Sequence, residues 1–149
     1  MIYCFWANLN NFMTVDVKKL YNYWLTEADY SWEIAKSLFG KRMYPECLFF
    51  AHLTVEKLLN AMVVAATSAH APPIHNLARL ASLAGVPITP EQRRRLEEWN
   101  GFYMAGRYDE EKMDFRKKCT KEYTTPKYLG IHKFFLWLKK EAEKNSPLK

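Results

Sequence analysis

A chain of 149 residues, 49% hydrophobic and 26% charged, has the length of one domain with its own core and is too apolar for a disordered tail. Its 5 glycines are too few for a fold of many strands joined by glycine turns. A net charge of +6 fits an anionic partner such as RNA, a nucleotide or an acidic protein, and fits a plain solvated basic surface as well.

Residues 1–13 are apolar and aromatic and lack the basic start of a secretory signal. They read as an N-terminal arm or extension, with Met13 as an alternative start. A first helix is expected from Asp16 to Phe39, with its cap near Thr14 or Val15. Its inward stripe is Trp24, Ala28, Trp32, Ala35, Leu38 and Phe39, and Gly40 stands where a left-handed cap would end it. The second helix opens at Pro45, with Glu46 at the positive end of the dipole. Its stripe of Leu48, Ala51, Val55, Leu58, Leu59, Met62 and Ala66 is the most apolar in the chain, which marks the central helix. A short helix fits Asn76 to Ala84, closed by Gly85 and Pro87. Thr89-Pro90-Glu91-Gln92 is a capping-box start for a helix running to Ala105 or Gly106. Residues 107–120 read as a connecting segment with at most a short turn. The last helix begins between Lys121 and Pro126, with Thr125-Pro126 as a cap signature, and ends near Asn145.

Four amphipathic helices with short or moderate links predict an all-α, antiparallel four-helix up-and-down bundle over residues 14–145. One or two short extra helices and a tail at 146–149 complete it. No stretch alternates as a strand does. Cys4, Cys47 and Cys119 have no CxxC spacing, so the reading is reduced thiols in a cytoplasmic protein. The longest strongly apolar run, Ala61 to Ala66, is far short of the ~20 residues that span a bilayer, so no membrane is expected. The four histidines show no H-x-x-H spacing and there is no glycine-rich phosphate loop; neither metal nor cofactor is expected.

The block Ala51-His52-Leu53-Thr54-Val55-Glu56-Lys57-Leu58-Leu59-Asn60-Ala61 resembles the second-helix signature of the HEPN family. His75-Asn76-Leu77 with Leu80, and then Tyr103 with Arg107-Tyr108, fall where that family has a His-x-Leu and an Arg-Tyr element. The similarity runs from about Val15 to Lys140. It implies a helical bundle, often a homodimer, and a separate minimal nucleotidyltransferase as partner, frequently in a prokaryotic toxin–antitoxin pair. Many members are metal-independent ribonucleases whose motif is an arginine followed four to six residues later by a histidine. Here Arg107 is followed by Tyr108-Asp109-Glu110-Glu111-Lys112-Met113-Asp114, and the next histidine is His132. The family's lysine in the second helix is replaced by Asn60. No catalytic role is carried over to any residue.

The leading reading is therefore a nucleotide- or RNA-binding subunit that pairs with a minimal nucleotidyltransferase. The alternatives are a divergent ribonuclease toxin and a purely structural interaction protein. Candidate binding residues are Arg107, Tyr108, Tyr103, Lys57, His75 and Arg94. A guanidinium forks a phosphate and an aromatic ring stacks on a base, and Tyr103 and Arg107 would share a face if the helix ran through Gly106. Arg107 and Tyr108 read equally well as a helix cap and a packed ring. Metal-independent cleavage needs a base for the 2′-hydroxyl proton and a cation for the phosphorane; Arg107 suits the second, with a base drawn by folding from His75 or His132. Glu56-Lys57 reads first as solvent-facing polarity, and second as a partly buried acid pairing with Arg107 or ordering the cleft. His52 reads as a satisfied core histidine. Arg93-Arg94-Arg95 opposes the dipole at a helix start, which suits an anion, or lies on a solvated face.

Overall fold

A computed structural model describes the chain over residues 15–149; the proposed arm and the alternative start at Met13 lie outside this range. Among the described residues there are six helices and no strand. Three are long: α1 (Val17–Gly40), α2 (Tyr44–Thr67) and α6 (Lys121–Lys144). Three are short: α3 (Leu77–Ala84), α4 (Pro90–Trp99) and α5 (Asp109–Lys118). A 3₁₀ turn over Asn100–Phe102 follows α4.

Four of the six starts are built by side chains that accept orphan N–H groups. Asp16 accepts from Lys19, Asn76 from Arg79, Thr120 from Tyr123, and Thr89 and Gln92 close the capping box of α4. Three ends differ from the sequence reading, the first being the cap of α1, which is Asp16 and not Thr14 or Val15. Gly40 is not the left-handed cap; Arg42 takes that position at φ 60°. The reversal is closed there by Met43 N–H on the Leu38 carbonyl at 2.9 Å, which places the left-handed residue beyond the glycine. Thr125-Pro126 is not a cap either. Thr120 caps α6, and Pro126 lies inside the helix.

Two further elements were misread for physical reasons. The helix expected to reach Ala105 or Gly106 stops at Trp99, and Tyr103 is extended at φ −77° and ψ 105°. Gly101 and Gly106 weaken any helix there, and Gly106 takes φ 75°, open to glycine without strain. Residues 109–118, read as a link, form α5. It buries only Phe115, so it has no apolar stripe to announce it, but Asp109, Glu110 and Glu111 open it while Arg116, Lys117 and Lys118 close it, matching the dipole at both ends.

The pairing of residues sets the directions. On α1 and α2, Lys57 reaches Glu27 and Ser31, and Phe39 meets Tyr44, so the two run antiparallel. On α1 and α6, the Tyr21 hydroxyl donates to the Ala142 carbonyl, Trp32 stacks over Tyr128 and His132, and Phe39 stacks on Tyr128 at 4.2 Å. On α4 and α6, Trp99 meets Phe134 and Glu98 pairs with Lys127. The result is an up-and-down bundle whose fourth member, α4, is short.

Helix α2 is its axis. It touches α1, α3, α5, α6 and the 3₁₀ turn, and 14 of its 24 residues are buried. By length and hydropathy it would be apolar enough to cross a bilayer, yet 78% of its most apolar window is covered by the other helices. Ala66, the last residue of the expected stripe, is exposed.

Candidate functional site

Being enclosed on most sides, α2 has no free face at Glu56. This overturns the reading of Glu56 as solvent-facing polarity. The residue is 7% exposed, and its carboxylate meets two imidazoles: His52 Nε2 at 3.1 Å and His75 Nδ1 at 3.1 and 3.2 Å. Arg107 does not reach it. Buried carboxylates need such partners, because the charge has left water.

The partners fix where protons lie. His52 Nδ1 is 3.1 Å from the Trp99 carbonyl, which can only accept, so Nδ1 carries a hydrogen. His52 Nε2 faces a carboxylate oxygen, so a further proton is held between the two. His52 is thus the satisfied core histidine expected, and it also clamps Glu56. Nδ1 of His75 donates to Glu56, which leaves Nε2 as the unprotonated nitrogen of the neutral ring.

His75 is delivered by the link between α2 and α3, one residue before the α3 cap. Asn100 ties that cap to the end of α4: its Oδ1 accepts from Leu77 N–H at 2.8 Å and its Nδ2 donates to Asn76 Oδ1 at 3.4 Å. The chain leaving the 3₁₀ turn therefore lays Tyr103 on His75, with centroids 4.0 Å apart, planes 16° apart, and the hydroxyl 3.0 Å from Nε2. Burial, and secondarily the Glu56 charge, pushes the Tyr103 phenol above its ordinary range, so it stays a donor. Phe49 and His52 flank the same ring at 5.7 and 5.4 Å. Alongside, Pro45, Phe49, Met104 and Phe115 wall a cavity of about 140 Å³ with Lys112 and Arg116 at its rim; Arg116 is held by Glu46 at 3.0 Å.

Of the residues singled out in the sequence, the fold brings three together. His75 and Tyr103 touch, and Arg107, without any helix to align it, donates Nε to the Tyr103 carbonyl at 3.3 Å while its Nη1 pairs with Glu111 at 3.3 Å. Tyr108 packs nothing: it is 80% exposed at the start of α5. Lys57 is engaged elsewhere, holding α2 to α1 through Ser31 at 2.8 Å and Glu27 at 3.3 Å. Arg94 is exposed on the first turns of α4 and pairs with Glu91. His132 is engaged elsewhere, stacked on Trp32 of α1 at 4.5 Å. The residue under-read was Glu56. Its only sequence signal is an acid placed four residues after a histidine in an otherwise apolar helix. Among the described residues, no group of three or more His, Cys, Asp and Glu side chains is placed to hold a metal ion.

The family model for the HEPN domain matches residues 21–144. The chain belongs to the HEPN family. The match takes in α2 to α6, all of α1 but its first four residues, and all the residues of the His52–Glu56–His75–Tyr103 cluster. No curated protein and no solved structure matches the chain. Membership supports a general role in binding nucleotide or RNA, or in ribonuclease-like chemistry, for this HEPN domain.

Proposed function

We propose that this HEPN protein is the nucleotide- or RNA-binding subunit of a two-component system, paired with a minimal nucleotidyltransferase, in the manner of a toxin–antitoxin pair. The observation that carries the reading is the convergence of Tyr103, His75 and Arg107 at one edge of the bundle. A stacked aromatic–imidazole pair offers a platform for a base, and the Arg107 guanidinium beside it offers a phosphate contact. The cavity against Phe49 and Met104, rimmed by Lys112 and Arg116, adds an apolar recess next to cations, which suits a base and its phosphate. The net charge of +6 adds long-range attraction for a polyanion. The outer residues Tyr23 and Tyr30 on α1, and Leu129 and Leu136 on α6, give a second copy or the partner protein apolar surface to cover. Buried, unpaired Cys47 and Cys119 accord with a reducing cytoplasm.

The test is binding of single-stranded RNA and of ATP to the purified chain over a range of salt. Affinity for RNA should fall log-linearly with salt, and Arg107→Ala should weaken it about 5- to 10-fold while lowering the salt slope by about one phosphate contact. Co-purification with a co-expressed minimal nucleotidyltransferase tests the pairing. No affinity for RNA or nucleotide at low salt would leave the purely structural reading in its place.

A further inference from the structure

Helix α6 carries a glycine in its interior that the protein's own packing does not call for. Glycine inside a helix is destabilising relative to alanine. A Cβ on Gly130 would meet Trp99 Cζ2 at 3.9 Å, an ordinary contact, so nothing in the bundle excludes a side chain there. The missing side chain instead opens the floor shared by two recesses between α4 and α6, of about 300 and 180 Å³, both lined by Arg95 and Gly130. Pro126, Gly130, Lys133 and Trp137 follow at spacings of three and four. One face of α6 therefore forms a continuous wall, about 17 Å long at 1.5 Å per residue.

Trp99, Phe134 and the partly buried Trp137 make the floor of this groove apolar. Leu129 and Leu136, 56% and 49% exposed, border it one step round α6. The acid in its lining, Glu98, is matched by Lys127 at 2.6 Å. Two cations are left for an outside charge. Arg95 meets Glu91 through Nε alone, at 3.4 Å, and Lys133 pairs with no acid among the described residues. Both walls are helices, whose backbone groups are used internally. An occupant must therefore satisfy its own backbone bonds, which a helix does and a lone extended segment does not. Base stacking needs an open ring face, and Trp99 and Phe134 are 3% and 6% exposed, which favours protein over nucleic acid.

We propose that the groove between α4 and α6 docks an acidic amphipathic helix of another protein, its apolar stripe over Gly130 and its carboxylates on Arg95 and Lys133. The choice of occupant rests on charge complementarity: an apolar floor with uncommitted cations at its rim calls for apolar side chains flanked by carboxylates. The groove shares no residue with the Tyr103–His75–Arg107 edge. The inference therefore depends neither on RNA binding nor on which protein carries the helix.

The experiment titrates the full chain into a labelled synthetic peptide of about 15 residues, with Leu at spacings of three and four and Glu on either side, and into a copy with Lys for every Glu. Fluorescence anisotropy should show the Glu peptide binding at least about 10-fold tighter than the Lys copy, with affinity falling as salt rises. Gly130→Leu fills the floor and should weaken the Glu peptide about 10-fold; its melting temperature should hold or rise, because leucine is the better helix former. Lys133→Glu should weaken it about 5-fold. Equal affinity for the two peptides, or no binding of either, would overturn the inference. Wild-type affinity in Gly130→Leu would do the same. Loss of RNA binding in Gly130→Leu would put a nucleic acid in the groove instead. A wild-type dimer that Gly130→Leu separates in sedimentation would put a second copy there, and either result would also overturn the proposal.

Discussion

At the scale of single residues, the fold separates two histidines that the sequence alone could not rank. His52 is fully buried with a partner on each nitrogen, and His75 is half-exposed, with Nδ1 held by Glu56 and Nε2 3.0 Å from the Tyr103 hydroxyl. Removing His52 would leave the Trp99 carbonyl without a donor and deprive a buried carboxylate of one of its two partners. Breaking a buried pair in this way costs about 3–4 kcal/mol, so His52→Ala should move the urea midpoint far down. His75→Ala takes away the other partner of that carboxylate, but it leaves no backbone carbonyl unpaired and opens the half-exposed position to water, so its cost should be smaller, about 1–2 kcal/mol. Equal losses in the two variants, measured by urea unfolding, would contradict the burial assignment. The same reasoning explains why Lys57 leaves the site: Ser31 is fully buried and Glu27 partly so, and together they draw the ammonium to α1.

At the scale of elements, caps decide boundaries that hydrophobic periodicity leaves loose. Thr120 and Thr125 stand five residues apart, and either would serve as a start for α6. Only Thr120 accepts a free N–H, from Tyr123 at 3.1 Å; Thr125 turns its hydroxyl back onto the Lys121 carbonyl at 2.8 Å. Thr120→Ala should therefore destabilise by about 1 kcal/mol. Thr125→Ala should change stability by less than half of that, since a back-bonded hydroxyl inside a helix adds little. A thermal-unfolding comparison of the two variants distinguishes the starts. Element α5 teaches the complementary lesson: its charges were visible, but with Phe115 as its one buried side chain no apolar period could point to it.

At the scale of the whole molecule, enclosure of α2 governs the response to alkaline pH. Burial, with the neighbouring Cys119 adding to it, pushes the Cys47 thiol from 9.0 up to about 12; burial, then Glu46, pushes Cys119 up to about 11. In the unfolded chain both thiols ionise near 9, so above that pH the unfolded state gives up protons that the folded state keeps. The stability they contribute is complete below pH 9 and is lost as pH climbs toward 11 and 12, by up to about 1.4 kcal/mol per pH unit for each thiol. Urea unfolding at pH 8, 9, 10 and 11 should trace this limb. Cys119→Ala should flatten it, and a limb of unchanged steepness would contradict the assignment.

Much of this protein was legible without coordinates. The all-helical class, α2 as the core helix, the capping box of α4 and the HEPN resemblance all rest on local order: spacings of three and four, a Thr-Pro-Glu-Gln start, and short blocks of residues in sequence. Such signals involve neighbours along the chain, so composition and spacing carry them. Gly40, Thr125 and the helix expected through Gly106 failed where two local signals competed, and only the closure of the chain on itself chose between them. His75 and Tyr103 were legible as candidates, but their meeting around Glu56 lay beyond reach for a different reason. Glu56, His75 and Tyr103 sit on α2, on the link before α3 and after the 3₁₀ turn, and no period relates them. They meet because α2 is enclosed, which forces the acid to find partners, and because Asn100 ties the end of α4 to the start of α3. Burial and long-range packing belong to the tertiary structure, and they turned one acid in an apolar helix into the centre of the site.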